Sequence, residues 1–256
     1  MVGLGASAGG LEALKAFFGN MPPGHGMVFI VVVHLDPTHD SLMPELLARS
    51  TALSVEQARD RQPLEADHVY IIPPNRTLTL DQGLIRLQEV ADRRGLRGTI
   101  DHFFRSLAVD QGGNAVAIVL SGIGAEGTLG ARAVKGEGGL VIAQDPNTAS
   151  QSGMPSSLIG AGLADFVSAP DKMPRALLDY ARGVYAERPA IAEAPEARPL
   201  KGLPSILAVL RAQTKHDFRG YKTGTLHRRI KRRMALQQIS SATKYVDFLH
   251  SHPTEA

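Results

Sequence analysis

Three residues of this sequence have the side chains needed for acyl transfer: Ser7, His34 and Glu126. Each follows a short run that reads as a buried strand. Ser7 lies in Gly3-Leu4-Gly5-Ala6-Ser7-Ala8-Gly9-Gly10, where small residues permit a tight turn and close approach of a substrate. A helix starting near Leu11 would turn its free N–H groups and positive dipole end toward charge developing on a serine oxygen. His34 closes the apolar run 28–33, and imidazole titrates in the range a general base needs. Glu126 sits in Ser121-Gly122-Ile123-Gly124-Ala125-Glu126-Gly127, after the apolar run 116–120. A nucleophile, a base and an orienting carboxylate, each at a separate strand end, make up a Ser–His–acid grouping.

Each residue also has a plainer reading. Ser7 is a candidate helix cap, His34 a partly exposed strand end, and Glu126 a favourable charge at a helix N-terminus, worth about 0.3–1 kcal/mol. Gly3-x-Gly5-x-x-Ala8 also matches the dinucleotide fingerprint, in which the same turn cradles a pyrophosphate. That reading expects an acidic residue at the end of the second strand to hold the ribose, and His34 stands there, with Asp36 two positions on.

Composition narrows the chemistry further. The chain has no cysteine, which removes thiolate metal sites, disulfides and a cysteine nucleophile. The longest apolar run, 27–33, is far shorter than the roughly 20 residues of a membrane span, and no basic n-region follows Met1. A cytoplasmic protein without membrane insertion is expected. Met1 leads straight into a strand pattern, which suggests that the natural chain extends upstream. Of the charged residues, nine Lys/Arg against one Asp fall between Arg211 and Arg233, so the basic character belongs to the C-terminal part. Its basic helix reads either as a solvated face or as a surface for acidic partners. Nucleic acid is not expected, because no DNA-binding motif or stacking aromatic array accompanies the charge.

The elements that must position these residues alternate between β-branched runs and amphipathic stretches as far as residue 184. This predicts βαβ units in a doubly wound, mostly parallel α/β sheet with helices on both faces. Strands are expected at 2–5, 27–34, 68–72, 115–121, 140–144 and 164–168. Helices are expected at 10–18, 41–50, 100–109, 128–136, 155–159 and 172–185. A turn at Asp81-Gln82-Gly83 between two alternating runs, 77–80 and 84–88, predicts an inserted β-hairpin. Ligands of such sheets collect outside the carboxyl ends of the strands, where Ser7, His34 and Glu126 are placed. The organisation is then a domain over 1–187, a Pro-rich linker over 188–204 with four prolines, and a small α-helical segment over 205–256. Helices are expected there at 205–211, 225–237 and 243–250.

The motifs around Ser7, Val33-His34, Pro73-Pro74-Asn75, residues 120–127, Ala143-Gln144-Asp145-Pro146 and Gly153-Met154-Pro155 together resemble the catalytic domain of CheB-type protein-glutamate methylesterases. The resemblance covers roughly residues 1–185. Thr214 to Lys222 and Thr225 to Met234 resemble the N-terminal helical part of CheR-type receptor methyltransferases, so the whole is similar to the front of a CheB/CheR fusion. The resemblance implies Ser7 as nucleophile, His34 as base and then acid, and Glu126 as the carboxylate that orients His34. It also implies an oxyanion hole from the backbone N–H groups of Ile123 and Ala8.

The implied reaction removes methyl esters from glutamate side chains of a chemotaxis receptor, an acidic helical bundle, and extends to glutamine deamidation. It needs no cofactor and no metal. The family usually has Asp where Glu126 stands, and many members have Thr at Ala8. A regulatory, receptor-binding module is the alternative function. Transferase activity is not expected, because no S-adenosylmethionine-binding βαβ core follows Pro204. The family also brings an expectation of a phosphoacceptor receiver domain and phosphorelay control, which residues 1–256 do not include.

Overall fold

The computed structural model describes residues 1–33, 41–89, 98–185, 202–220, 223–237 and 239–255. They form two compact units, Met1–Ala176 and Leu177–Ala256.

In the first unit a seven-stranded parallel sheet is built from β1 (Val2–Ala6), β2 (Val28–Val33), β3 (Ser54–Gln57), β4 (His68–Ile71), β7 (Val116–Val119), β8 (Leu140–Gln144) and β9 (Phe166–Ser168). Their order is β3-β4-β2-β1-β7-β8-β9. The central strands β1, β7 and β8 are buried at every position, which explains their unbroken apolar runs: a sheet covered on both faces has no solvent side to alternate toward. β3, whose residues are Ser54-Val55-Glu56-Gln57, escapes a sequence reading because it is an edge strand with a single β-branched residue and exposed ends.

The remaining two strands, β5 (Arg76–Asp81) and β6 (Leu84–Glu89), form the expected antiparallel hairpin. Both turn residues have positive φ, 52° at Gln82 and 74° at Gly83. That is the geometry whose twist matches the flanking strands.

Helices of this unit are α1 (Gly10–Gly19), α2 (Met43–Ala48), α3 (Thr99–Gln111), α4 (Thr128–Gly136) and α5 (Gly153–Gly160), and α6 (Met173–Tyr185) runs across the boundary into the second unit. α1 buries Ala13, Leu14, Phe17 and Phe18, the spacing of one helical face. α3 lies directly on β1, because two of that strand's residues are glycines. A Cβ on Gly3 would lie 2.6 Å from Phe103 Cε1, and one on Gly5 would collide with Ile100 Cγ2. This overturns the dinucleotide reading: Gly3 and Gly5 lie inside the strand under α3 and do not line a turn open to a pyrophosphate.

The second unit contains α7 (Leu203–Thr214), α8 (Thr223–Leu236) and α9 (Ala242–Ser251). Leu203, Ile206, Val209, Ile230, Met234, Tyr245 and Leu249 form its core. α7 starts inside the segment expected to be linker, with Pro204 in its first turn, where the missing N–H costs nothing. Part of the basic charge of α8 is internal. The Glu255 carboxylate accepts from Arg233 Nε at 2.7 Å and from the Tyr245 hydroxyl at 3.2 Å. Among the described residues no helix is long and apolar enough to cross a membrane.

Candidate active site

Ser7 is the first residue after β1, half-buried, and α1 begins three residues later. The N-cap position of this helix is held by Gly9, whose φ is 75°, and not by Ser7. Three successive peptide planes around Ser7 are held by hydrogen bonds. The Ser7 N–H donates to the Ser121 carbonyl at 2.9 Å, the Ser7 carbonyl accepts from the Gly10 N–H at 2.8 Å, and the Ala8 carbonyl accepts from the Ser121 hydroxyl at 2.8 Å. Gly9 has to be glycine twice over. Its φ is left-handed, and a Cβ would lie 2.5 Å from Ser150 Cβ and 2.8 Å from Ser121 Oγ.

The loop after β7 closes against this turn. A Cβ on Gly122 would sit 3.0 Å from Ser7 Cβ and collide with the Met154 thioether, so only glycine lets the two loops approach. The Gly122 N–H is taken by the Gln151 carbonyl at 2.9 Å. By contrast, neither the Ala8 N–H nor the Ile123 N–H meets an acceptor among the described residues. Ala8 is exposed, and the Ile123 side chain is 67% exposed. Two N–H donors on adjoining loops beside a serine are what a tetrahedral oxyanion requires.

Glu126 precedes α4, but its carboxylate serves a different helix: Oε1 accepts the Ile100 N–H, in the first turn of α3, at 2.7 Å. In return, Asp101 of α3 accepts the Gly130 N–H, in the first turn of α4, at 2.7 Å. Both helices are preceded by glycines in left-handed conformation, Gly98 and Gly127, which offer no side chain of their own. Asp101 is nearly buried. Desolvation raises its pKa above the ordinary carboxylate value, the Gly130 N–H opposes that, and the Glu126 charge adds to the rise.

Four of the five sequence-predicted site residues are therefore placed. Ser7 and Ala8 follow β1, and Ile123 and Glu126 follow β7, its neighbour in the sheet. The pairing of β1 with β2 sets Ala6 opposite Val33. His34, the next residue in the chain, lies outside the described residues. Reading the sequence for chemistry passed over Ser121 and Gln144, which stood in its motifs without a role. Ser121 is fully buried, and Gln144 Oε1 accepts the Ser121 N–H at 2.8 Å. The available signal was a hydroxyl at the end of an apolar strand, opposite a buried amide in the neighbouring one. Among the described residues no cluster of three His, Asp or Glu side chains is arranged to hold a metal.

A doubly wound parallel sheet with a serine turn at the carboxyl end of its central strand defines an α/β protein whose site lies at the strand ends. The chain belongs to the CheB methylesterase family, whose family model matches residues 2–177. Residues 201–256 match the CheR methyltransferase all-alpha domain. The crystal structure of the Thermotoga maritima CheB methylesterase catalytic domain superposes with a TM-score of 0.63 at 30% identity, covering 70% of this chain and 96% of that one. A protein-glutamate methylesterase/protein-glutamine glutaminase of Anaeromyxobacter dehalogenans is 34% identical over 71% of this chain and 53% of its own length. An uncharacterized 104.1 kDa protein in the hypE 3' region of Rhodobacter capsulatus is 37% identical over 83% of this chain and 24% of its own length. The chain thus spans between about a quarter and about half of these relatives.

Proposed function

We propose that the first unit is a serine esterase that removes methyl groups from esterified glutamate side chains. The observation that carries this reading is the Ser7 turn, packed against the loop after β7, with the Ala8 and Ile123 N–H groups meeting no acceptor among the described residues. Ser7 Oγ attacks the ester carbonyl while His34 accepts its proton. The tetrahedral oxyanion is stabilised by the two N–H donors, each worth about 3 kcal/mol when well placed. His34 then returns the proton to the departing methoxide, which leaves as methanol. A water molecule, activated by the same imidazole, hydrolyses the acyl-serine to glutamate and restores Ser7. Glu126 orients His34. A primary amide at the same position would release ammonia instead, which accommodates the glutaminase activity in the relatives' names.

The proposed substrate is a methylated chemotaxis receptor, an acidic helical bundle met in the cytoplasm, with the basic α8 of the second unit contributing to binding. In this reading the domains are 1–187 and 205–256, joined by 188–204. The test is methanol release from methylated receptor: Ser7→Ala should abolish it, since loss of the nucleophile costs about a millionfold in other triad hydrolases. Retention of more than a few per cent of parent activity sinks the assignment.

A second reading, a receptor-binding regulatory module without turnover, is favoured by one observation: Glu126 Oε1 is already engaged by the Ile100 N–H. Covalent labelling of Ser7 by a fluorophosphonate separates the two, since only an activated serine reacts.

A further inference from the structure

We infer that Ser121 is a positioning residue for the oxyanion hole, acting as a clamp that sets the direction of the Ala8 N–H. The inference rests on the proposal that Ser7 is the nucleophile, and it assigns work to a residue that touches neither substrate nor reacting atoms.

Every polar group of Ser121 is used: two of its bonds go to the turn after β1, one to the end of β8 and one to the loop that follows β8. Its N–H donates to Gln144 Oε1 at 2.8 Å, its carbonyl accepts the Ser7 N–H at 2.9 Å, and its hydroxyl donates to the Ala8 carbonyl at 2.8 Å, the shorter of two contacts, with the Gln151 carbonyl at 3.3 Å. The same hydroxyl accepts the Gln151 N–H at 2.9 Å. One fully buried side chain thus ties the nucleophile turn after β1 to the loop between β8 and α5. The amide that anchors it is itself fixed, since Gln144 Nε2 donates to the Thr148 carbonyl at 3.0 Å and Gln144 is 1% exposed.

The direction of the Ala8 N–H follows from the peptide planes on either side of it. The Ser7–Ala8 plane is set by the Gly10 N–H on the Ser7 carbonyl, and an N–H lies opposite its own carbonyl in a trans peptide. Alone, that bond leaves the turn free to rock about Ser7 and Ala8. Ser121 removes this freedom by gripping the peptide before, through its carbonyl, and the peptide after, through its hydroxyl. An oxyanion donor stabilises the transition state only if it points at the place where charge develops, without reorganisation. A buried hydroxyl with both partners satisfied is well suited to that, because leaving either partner unpaired is costly.

The test is Ser121→Ala, with Ser121→Cys as a variant of similar volume and weak donor strength, in the full chain. The bimolecular rate of fluorophosphonate labelling at Ser7 and kcat for a small methyl ester should each fall about tenfold to a hundredfold in Ser121→Ala, somewhat less than losing a donor outright. Ser121→Cys should fall between, and KM should stay near the parent value in both. Amide hydrogen exchange gives a readout independent of turnover: the Gln151 N–H should exchange about tenfold faster in Ser121→Ala, the equivalent of one hydrogen bond.

Parent-like labelling and exchange in a folded Ser121→Ala overturns the clamp. So does a loss of labelling that merely tracks the unfolded fraction measured by thermal melting. If the parent protein itself is not labelled at Ser7, the esterase reading fails, and the exchange rates alone then decide whether Ser121 holds the turn.

Discussion

Asp101 and Glu126 each cap the helix that the other introduces. Glu126, just before α4, accepts the Ile100 N–H of α3, and Asp101, in the first turn of α3, accepts the Gly130 N–H of α4, both at 2.7 Å. Each helix start is preceded by a glycine with no side chain to cap it, and each carboxylate satisfies an N–H in the first turn of the other helix. The carboxylate assigned to His34 in the proposed triad is therefore also part of a helix–helix joint.

The two roles of Glu126 can be separated. Glu126→Gln keeps an oxygen able to accept the Ile100 N–H, so thermal melting should stay close to the parent. It supplies no negative charge for an imidazolium, so methanol release should fall by about three to four orders of magnitude. Glu126→Asp, the family's usual residue, should remain active but withdraw from Ile100, losing a cap of about 0.5–2 kcal/mol. Undiminished turnover in Glu126→Gln, with no change in Glu126→Asp, places the third member of the triad elsewhere or reduces the site to a dyad.

Asp101 gives this joint a pH dependence. Its pKa is raised in the folded chain, chiefly by desolvation and further by the Glu126 charge, against the Gly130 and Gly127 N–H groups and Arg105. The folded state therefore binds the proton more tightly than the unfolded one. The stability this contributes is fully present below the ordinary carboxylate value and is lost as pH rises through the folded value. Asp101→Asn keeps an acceptor for Gly130 and does not titrate. In urea denaturation, its stability relative to the parent should increase as pH is raised across that window. A difference that does not vary with pH would falsify the sign.

Gly130 is where α4 touches α3. A Cβ there would lie 2.5 Å from Phe104 Cβ and 2.8 Å from the Asp101 carbonyl oxygen. Gly130→Ala should destabilise the first unit by about 1–3 kcal/mol through overpacking. Gly136→Ala, at the far end of the same helix, where an added Cβ would meet nothing within 4 Å, should leave stability unchanged or raise it by up to about 1 kcal/mol. Melting curves of the pair check this, and equal effects would contradict the close approach.

The second unit is expected to contribute binding and no chemistry. Removing residues 203–256, which hold α7, α8 and α9, should leave hydrolysis of a small methyl ester unchanged and weaken association with acidic receptor fragments, measured by calorimetry. A large loss of small-ester turnover would show that the helices complete the active site.

The strand ladder of the first unit was legible because its central strands are buried on both faces, and such strands must be apolar throughout. The hairpin was legible because Asp81-Gln82-Gly83 has few alternatives to a tight turn. The same logic hid β3, an edge strand with little to bury, and the start of α7, where proline belongs equally to a linker and to a first helical turn.

At the site, the sequence by itself picked out the residue types suited to acyl transfer, and the structure sets Ser7 and Ala8 after β1 and Ile123 and Glu126 after β7, with His34 outside the described residues. From their motifs the sequence also determined the family. It did not determine what holds them. Ser121 meets Ala8 across 113 positions and Asp101 meets Gly130 across 29, and neither pair leaves a periodicity or a local spacing to read. Only the tertiary structure decided that a buried serine grips the turn after β1 and that Glu126 caps a helix other than its own. Hydrogen bonds between loops depend on where the strands stack, and stacking is set by the packing of the whole sheet.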